Sequence, residues 1–79
     1  MRLDKFLKVS RIIKRRTVGK EACEGSRVTL NGRIEKPGAD VKVGDILKIT
    51  FGEKIVKVEI LSVAETVRKE NAADMYRVI

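Results

Sequence analysis

The chain has 79 residues, with 18 Lys plus Arg against 11 Asp plus Glu, a net charge of +7 and a pI of about 9.9. That length allows one domain, and no apolar run is long enough to cross a membrane as a helix. The single cysteine cannot form an intramolecular disulfide, and the lack of histidine removes the commonest general base and a leading metal ligand.

A domain this small buries only about 60% of its unfolded surface, so function is expected on an outer face rather than in a deep pocket. The opening MRLDKFLKVSRIIKRR is broken by charge every two or three residues and does not read as a signal peptide. A reducing, cytoplasmic setting is the expectation.

Residues 3–9 are predicted as a short helix, because Leu3, Phe6 and Leu7 recur at i, i+3 and i+4 on one face. Arg2, Lys5 and Lys8 form a stripe beside it. Ser10 to Ile13 should turn the chain, with Ile12 and Ile13 anchored in the core. A second helix fits residues 15–24, with Val18 and Ala22 on its inner face and Arg16 and Lys20 sharing another. Gly19 is a poor helix former and is read as the point where two helices approach closely. Gly25 is the expected stop.

From residue 27 the period changes to two. Val28 and Leu30 alternate with polar residues, and Asn31-Gly32 is a strong hairpin signal because both turn positions need positive φ. Residues 36–40 read as a loop, Gly44-Asp45 as a turn, residues 46–51 as a strand, Gly52-Glu53 as a turn, and Val56, Val58 and Ile60 as a second alternating strand. Residues 65–71 are polar and read as a loop or frayed helix. Residues 72–79 are apolar enough to dock on the sheet. The expected class is α+β, with two short N-terminal helices packed on a small, mostly antiparallel β-sheet.

The charge is uneven. Residues 1–36 hold 11 basic and 4 acidic residues, whereas residues 37–79 hold 7 of each. Residues 1–20 carry Arg2, Lys5, Lys8, Arg11, Lys14, Arg15, Arg16 and Lys20 against Asp4 alone. A solvated helical face normally mixes signs, and this one repels itself unless a polyanion is present. Nucleic acid is the leading partner class and an anionic membrane the alternative. Membrane binding would need a broad apolar face beside the charge, and Leu3, Phe6 and Leu7 are claimed by the core.

Arg2-Leu3-Asp4-Lys5-Phe6-Leu7, Arg16-x-x-Gly19, Gly25-x-x-Val28-x-x-Asn31-Gly32 and Val43-Gly44-Asp45 together resemble the S4 RNA-binding domain, over about residues 1–51. The opening residues 1–8, the cluster Lys14-Arg15-Arg16-Thr17 and the late Ala72-Ala73-x-Met75-Tyr76 are similar to the free-standing S4 proteins of bacterial ribosome-associated quality control, the RqcP group. These are relatives of the small ribosome-associated heat-shock S4 protein. Two positions depart from the broader S4 pattern: Arg15 stands where Ser or Thr is frequent, and Gly19 where Ala is.

The resemblance implies the S4 (αL) fold in a single domain over residues 1–79, with a core at about 1–51 and C-terminal strands and a docking tail at 52–79. It also implies a non-catalytic factor that binds a stalled large (50S) ribosomal subunit carrying peptidyl-tRNA. Such a factor contacts 23S rRNA and the tRNA, while a partner quality-control factor adds C-terminal alanine tails. The alternatives are a heat-shock-type S4 protein that recycles 50S–peptidyl-tRNA complexes, or a more general S4 rRNA-binding protein. The heat-shock relative usually has a longer basic tail, and a chain ending at Ile79 with a neutral second half is expected to differ from it.

RNA helices are recognised through shape, phosphates and 2′-hydroxyls, which calls for cations spaced along a surface. Arg is favoured where a planar fork can clamp phosphate. Arg2, Arg15 and Arg16 are therefore the leading candidates. Lys5, Lys8, Arg11, Lys14 and Lys20 extend the face, and Arg27 and Arg33 flank the hairpin. Asp4 is expected to orient a neighbouring Arg, and Cys23 to be a small buried hydrophobe. No catalytic constellation, phosphate-binding Gly loop, cofactor site or metal site is expected, and the protein is expected to be a monomer.

Overall fold

A computed structural model describes residues 1–64 and 68–79, apart from the side chains of Arg16 and Lys69. In chain order the elements are α1 (Leu3–Val9), α2 (Arg16–Glu24), β1 (Val28–Leu30), β2 (Arg33–Ile34), β3 (Ile46–Phe51), β4 (Lys54–Ile60), a 3₁₀ helix (Lys69–Met75) and β5 (Tyr76–Val78). The strands form a five-stranded sheet in the order β2-β1-β3-β4-β5, with every neighbouring pair antiparallel. The two helices pack on one face of this sheet, giving the α+β architecture that the sequence predicts.

The period-two pattern sets the register. Val28, Leu30, Leu47, Ile49, Val58 and Ile60 all point inward and are buried. They meet Leu3, Phe6 and Leu7 of α1, each fully buried, in one hydrophobic cluster. On the open face Thr29 pairs with Lys48, which pairs with Lys57. Like charges directly opposite one another are mildly destabilising.

The turns show why particular residues are needed. Asn31 and Gly32 have φ of 52° and 83°, as a tight hairpin demands. Asn31 then does more than turn. Its backbone N–H donates to the Ile46 carbonyl (2.8 Å), its side-chain carbonyl accepts from the Ile46 N–H (2.9 Å), and its Nδ2 donates to Asp45 Oδ1 (3.1 Å). The other oxygen of Asp45 accepts the Lys42 N–H (2.9 Å). The two turn motifs, separate in sequence, are one hydrogen-bonded corner in space.

α1 is stopped at Ser10, which is buried, and Arg11 follows at φ 63° with its N–H on the Lys8 carbonyl (3.0 Å). Ile13 then re-enters the core, with Ile12 packed against it. α2 ends at Gly25, as expected, but Gly25 has an ordinary φ of −82°, and the left-handed residue is Ser26 at φ 60°.

One expectation is overturned. Val18 is not on the inner face of α2: it is 46% exposed, and the buried positions are Gly19, Ala22 and Cys23. A methyl group added at Gly19 would lie 3.5 Å from the Asp4 carbonyl oxygen and 3.6 Å from Leu7 Cβ. The close helix approach read from that glycine is therefore present.

Residues 65–67, part of the segment expected to be loop or frayed helix, lie outside the described residues. Beyond them the tail docks as anticipated. Ala72 and Met75 are buried, and Tyr76–Val78 adds a strand against β4.

Candidate nucleic-acid interface

The N-terminal segment is stitched to the loop at residues 37–41. The Leu3 N–H donates to the Ala39 carbonyl (2.8 Å), Asp4 N–H to Pro37 (3.1 Å), and Val41 N–H to Met1 (2.9 Å). The Lys5 N–H donates to Asp4 Oδ1 (2.8 Å) and Phe6 N–H to the Arg2 carbonyl (2.9 Å). The N–H groups that a helix leaves unpaired at its start are thus satisfied inside the fold at α1. The Met1 ammonium pairs with Asp40 (2.8 Å).

Arg2 sits just before α1 with its side chain half exposed. Its Nε and Nη2 donate to the two oxygens of Asp4 at 3.1 and 3.3 Å, and Asp4 is buried. The buried carboxylate aims the fork, as the sequence suggests. A guanidinium has five donors, so some remain for an outside acceptor.

Lys8, Arg11, Lys14, Arg15 and Lys20 are exposed, and Lys5 is partly covered. All lie on α1, on α2 or on the link between them, so packing of the two helices gathers them on one helical hairpin. Arg16 is the first residue of α2, one turn before Lys20. Arg27 and Arg33 are also exposed, but on the sheet side: Arg27 leads into β1 and Arg33 lies on the edge strand β2. Between the end of α2 and β2 runs a groove whose charged lining residues are Glu24, Glu35 and Lys36.

The two helices differ in how charge meets dipole. α1 has an acid in its first turn (Asp4) and a base in its last (Lys8), the favourable order. α2 is reversed. It opens on Lys14, Arg15 and Arg16 with no acid in its first turn and no side-chain cap, and it has no base in its last turn. Each charge so placed costs about 0.3–1 kcal/mol when unscreened. A helix arranged against its own dipole is stabilised by an anion at its start.

Cys23 is buried, and its thiol is pushed up to about 11, chiefly by burial and then by the charges of Asp4 and Glu24. That is the reverse of an activated nucleophile. Among the described residues no helix is long and apolar enough to cross a membrane. The sequence did not connect Val18 and Phe51 to the basic face. The structure does, in a cleft shared with Lys14 and Arg15.

This helical hairpin on an antiparallel sheet is the S4 architecture. Residues 1–47 match the S4 domain, and the chain belongs to that family. It is 63% identical over 78 residues to the RQC P-site tRNA stabilizing factor of Halalkalibacterium halodurans, covering 99% of this chain and 89% of that one. It is 35% identical over 65 residues to a heat shock protein 15 homolog of Aeromonas salmonicida, covering 82% of this chain and 49% of that one. Among solved structures, the trimeric heat shock protein 15 of Vibrio cholerae superposes with a TM-score of 0.93 at 29% identity, covering all of this chain and 81% of that one.

Proposed function

We propose that this protein binds RNA on the large ribosomal subunit in bacterial ribosome-associated quality control and holds peptidyl-tRNA there. The helical hairpin supplies the contacts to 23S rRNA and tRNA, from Arg2, Lys5, Lys8, Arg11, Lys14, Arg15, Arg16 and Lys20. Arg27 and Arg33 reach whatever lies beside the sheet. A partner factor performs the alanine tailing, and this chain acts as a cytoplasmic, monomeric, non-catalytic clamp.

The observation that carries this reading is the reversed charge of α2, together with an Arg2 fork that a buried Asp4 holds in place on α1. Stability is set aside at the spot where a polyanion would restore it. The 63% identity to a P-site tRNA stabilizing factor, against 35% to the heat-shock relative, favours the quality-control role over recycling.

The test is sedimentation with lysate on a gradient. The protein should follow large subunits that carry peptidyl-tRNA, and migration with free protein alone would overturn the reading. Arg16→Ala should stay folded, since Ala is a good helix former, and lose about 10- to 150-fold in affinity, the worth of one charge-assisted clamp. Arg16→Lys should recover part of this, because an ammonium cannot form the bidentate fork. Lys57→Ala, on the open sheet face, should change little.

A further inference from the structure

Phe51 ends β3 and is 41% exposed, unlike buried Phe6 and half-buried Tyr76. It faces a cleft of about 400 Å³ shared with Ile12, Ile13 and Val18, with Lys14 and Arg15 on its rim. Val18 is 46% exposed on a helix that otherwise shows polar residues to solvent. Two large apolar side chains, Val18 on α2 and Phe51 at the end of β3, are thus left open beside two cations of the helical hairpin.

We propose that this cleft holds one unpaired nucleobase of the bound RNA, stacked on Phe51 and flanked by Val18, with its phosphates met by Lys14 and Arg15. The proposal rests on the RNA-binding reading and adds a requirement to it. The cleft is the size of a small-ligand pocket and has room for one base. Its apolar floor suits a flat aromatic ligand and its cationic rim suits a polyanion. Proteins read single-stranded loops and bulges by stacking extruded bases on aromatic rings, which paired RNA does not offer. Phe51 and Val18 have no polar atoms with which to distinguish one base from another. The cleft therefore reads whether a base is unpaired, not which base it is.

The test compares three RNA hairpins at low salt by fluorescence anisotropy: fully paired, with one bulged nucleotide, and with an abasic site in the bulge. Wild type should bind the bulged RNA about 5- to 150-fold more tightly than the abasic one, the range for stacking one base on an aromatic side chain. Changing the bulged base should matter little. Phe51→Ala should erase the difference without weakening binding to the paired hairpin. Phe51→Leu, which keeps apolar volume but has no ring, should behave similarly, and Phe51→Tyr should retain the effect. If all three hairpins bind wild type equally, the cleft takes no base while the basic face still binds RNA. If Phe51→Ala weakens paired and bulged RNA alike, the cleft proposal also fails. If no hairpin binds, the RNA-binding reading itself falls.

Discussion

Asn31 and Asp45, fourteen residues apart in the chain, are joined side chain to side chain at 3.1 Å, and Asn31 also caps the first N–H of β3. This contact ties the β1–β2 turn to the loop that enters β3. It gives both residues a structural reason to be present that neither turn provides alone. Asn31→Ala removes two side-chain hydrogen bonds and places a residue with a Cβ but no local partner at φ 52°. It should lower unfolding free energy by about 2–4 kcal/mol, from roughly 0.5–1.5 per bond and about 1 for the left-handed backbone. Asn31→Gly, which relieves the backbone, should lose less. Urea denaturation measures both, and an equal loss in the two would refute the backbone share.

The helix contact at Gly19 leaves room for a methyl group. Its nearest neighbours would be at 3.5 and 3.6 Å, ordinary van der Waals distances. Gly19→Ala should therefore raise stability by about 0.5–1 kcal/mol through helix propensity and a less flexible unfolded chain. Gly19→Leu should push α2 off α1 and lower stability by about 1–3 kcal/mol. A destabilised alanine variant would show that the helices are closer than described.

Ser26 carries the strained backbone after α2, at φ 60°, while Gly25 sits in a conformation open to any residue. Exchanging their roles is the check. Ser26→Gly should stabilise by up to about 1 kcal/mol. Gly25→Ala should not stabilise, because its new methyl would lie 3.2 Å from the Glu21 carbonyl oxygen. Thermal melts of the two variants should shift in different directions or by clearly different amounts.

Cys23 and Asp40 each give the fold a pH response. The Cys23 thiol ionises near 9 in its ordinary state and at about 11 in the fold. Between those values the unfolded chain gives up a proton that the folded chain keeps, so stability is full below pH 9 and declines towards pH 11. Cys23→Ala should flatten that limb. At pH 8 the native thiol should react with a disulfide reagent about 100-fold more slowly than the unfolded one. Asp40 is held below its ordinary 3.8 by the hydrogen bond from the N-terminal ammonium, and then by that group's charge. Its contribution is complete above pH 3.8 and is lost as the pH falls below it. Acetylating the N-terminus should raise the Asp40 titration midpoint seen by NMR, and an unmoved midpoint would remove this contact as the cause.

RNA binding should be strongly salt dependent if the helical hairpin is the interface. With four to six phosphates neutralised, a fourfold rise in salt should cost about 50- to 2000-fold in affinity. Arg2→Ala should weaken binding and also leave Asp4 buried with fewer donors, so its loss should appear in both affinity and unfolding. A flat salt response would place the interface elsewhere.

The elements that announce themselves through apolar spacing were legible in advance. Leu3, Phe6 and Leu7 mark α1, and alternation marks β1, β3 and β4, because burial on one face leaves a period in the sequence. The inner face of α2 was misread for the same reason. Gly19 contributes no hydropathy, so Val18 stood in for it, although the buried set is Gly19, Ala22 and Cys23. β5 left only the hint of an apolar tail, since a three-residue edge strand is too short to show a period. The basic residues of the proposed interface were read from charge alone. Its apolar part was not, because Phe51 and Val18 come together only through tertiary packing.

Lys48 and Lys57 face each other across the open side of the sheet, where Ile34 and Ile55 are about 60% exposed. Two copies stacked through that side would trap four ammonium groups in one poorly hydrated layer. Like charge on that face opposes its contact with a second copy. Replacing both lysines with glutamine would leave the fold intact and make the protein cloud at concentrations where the wild type stays clear.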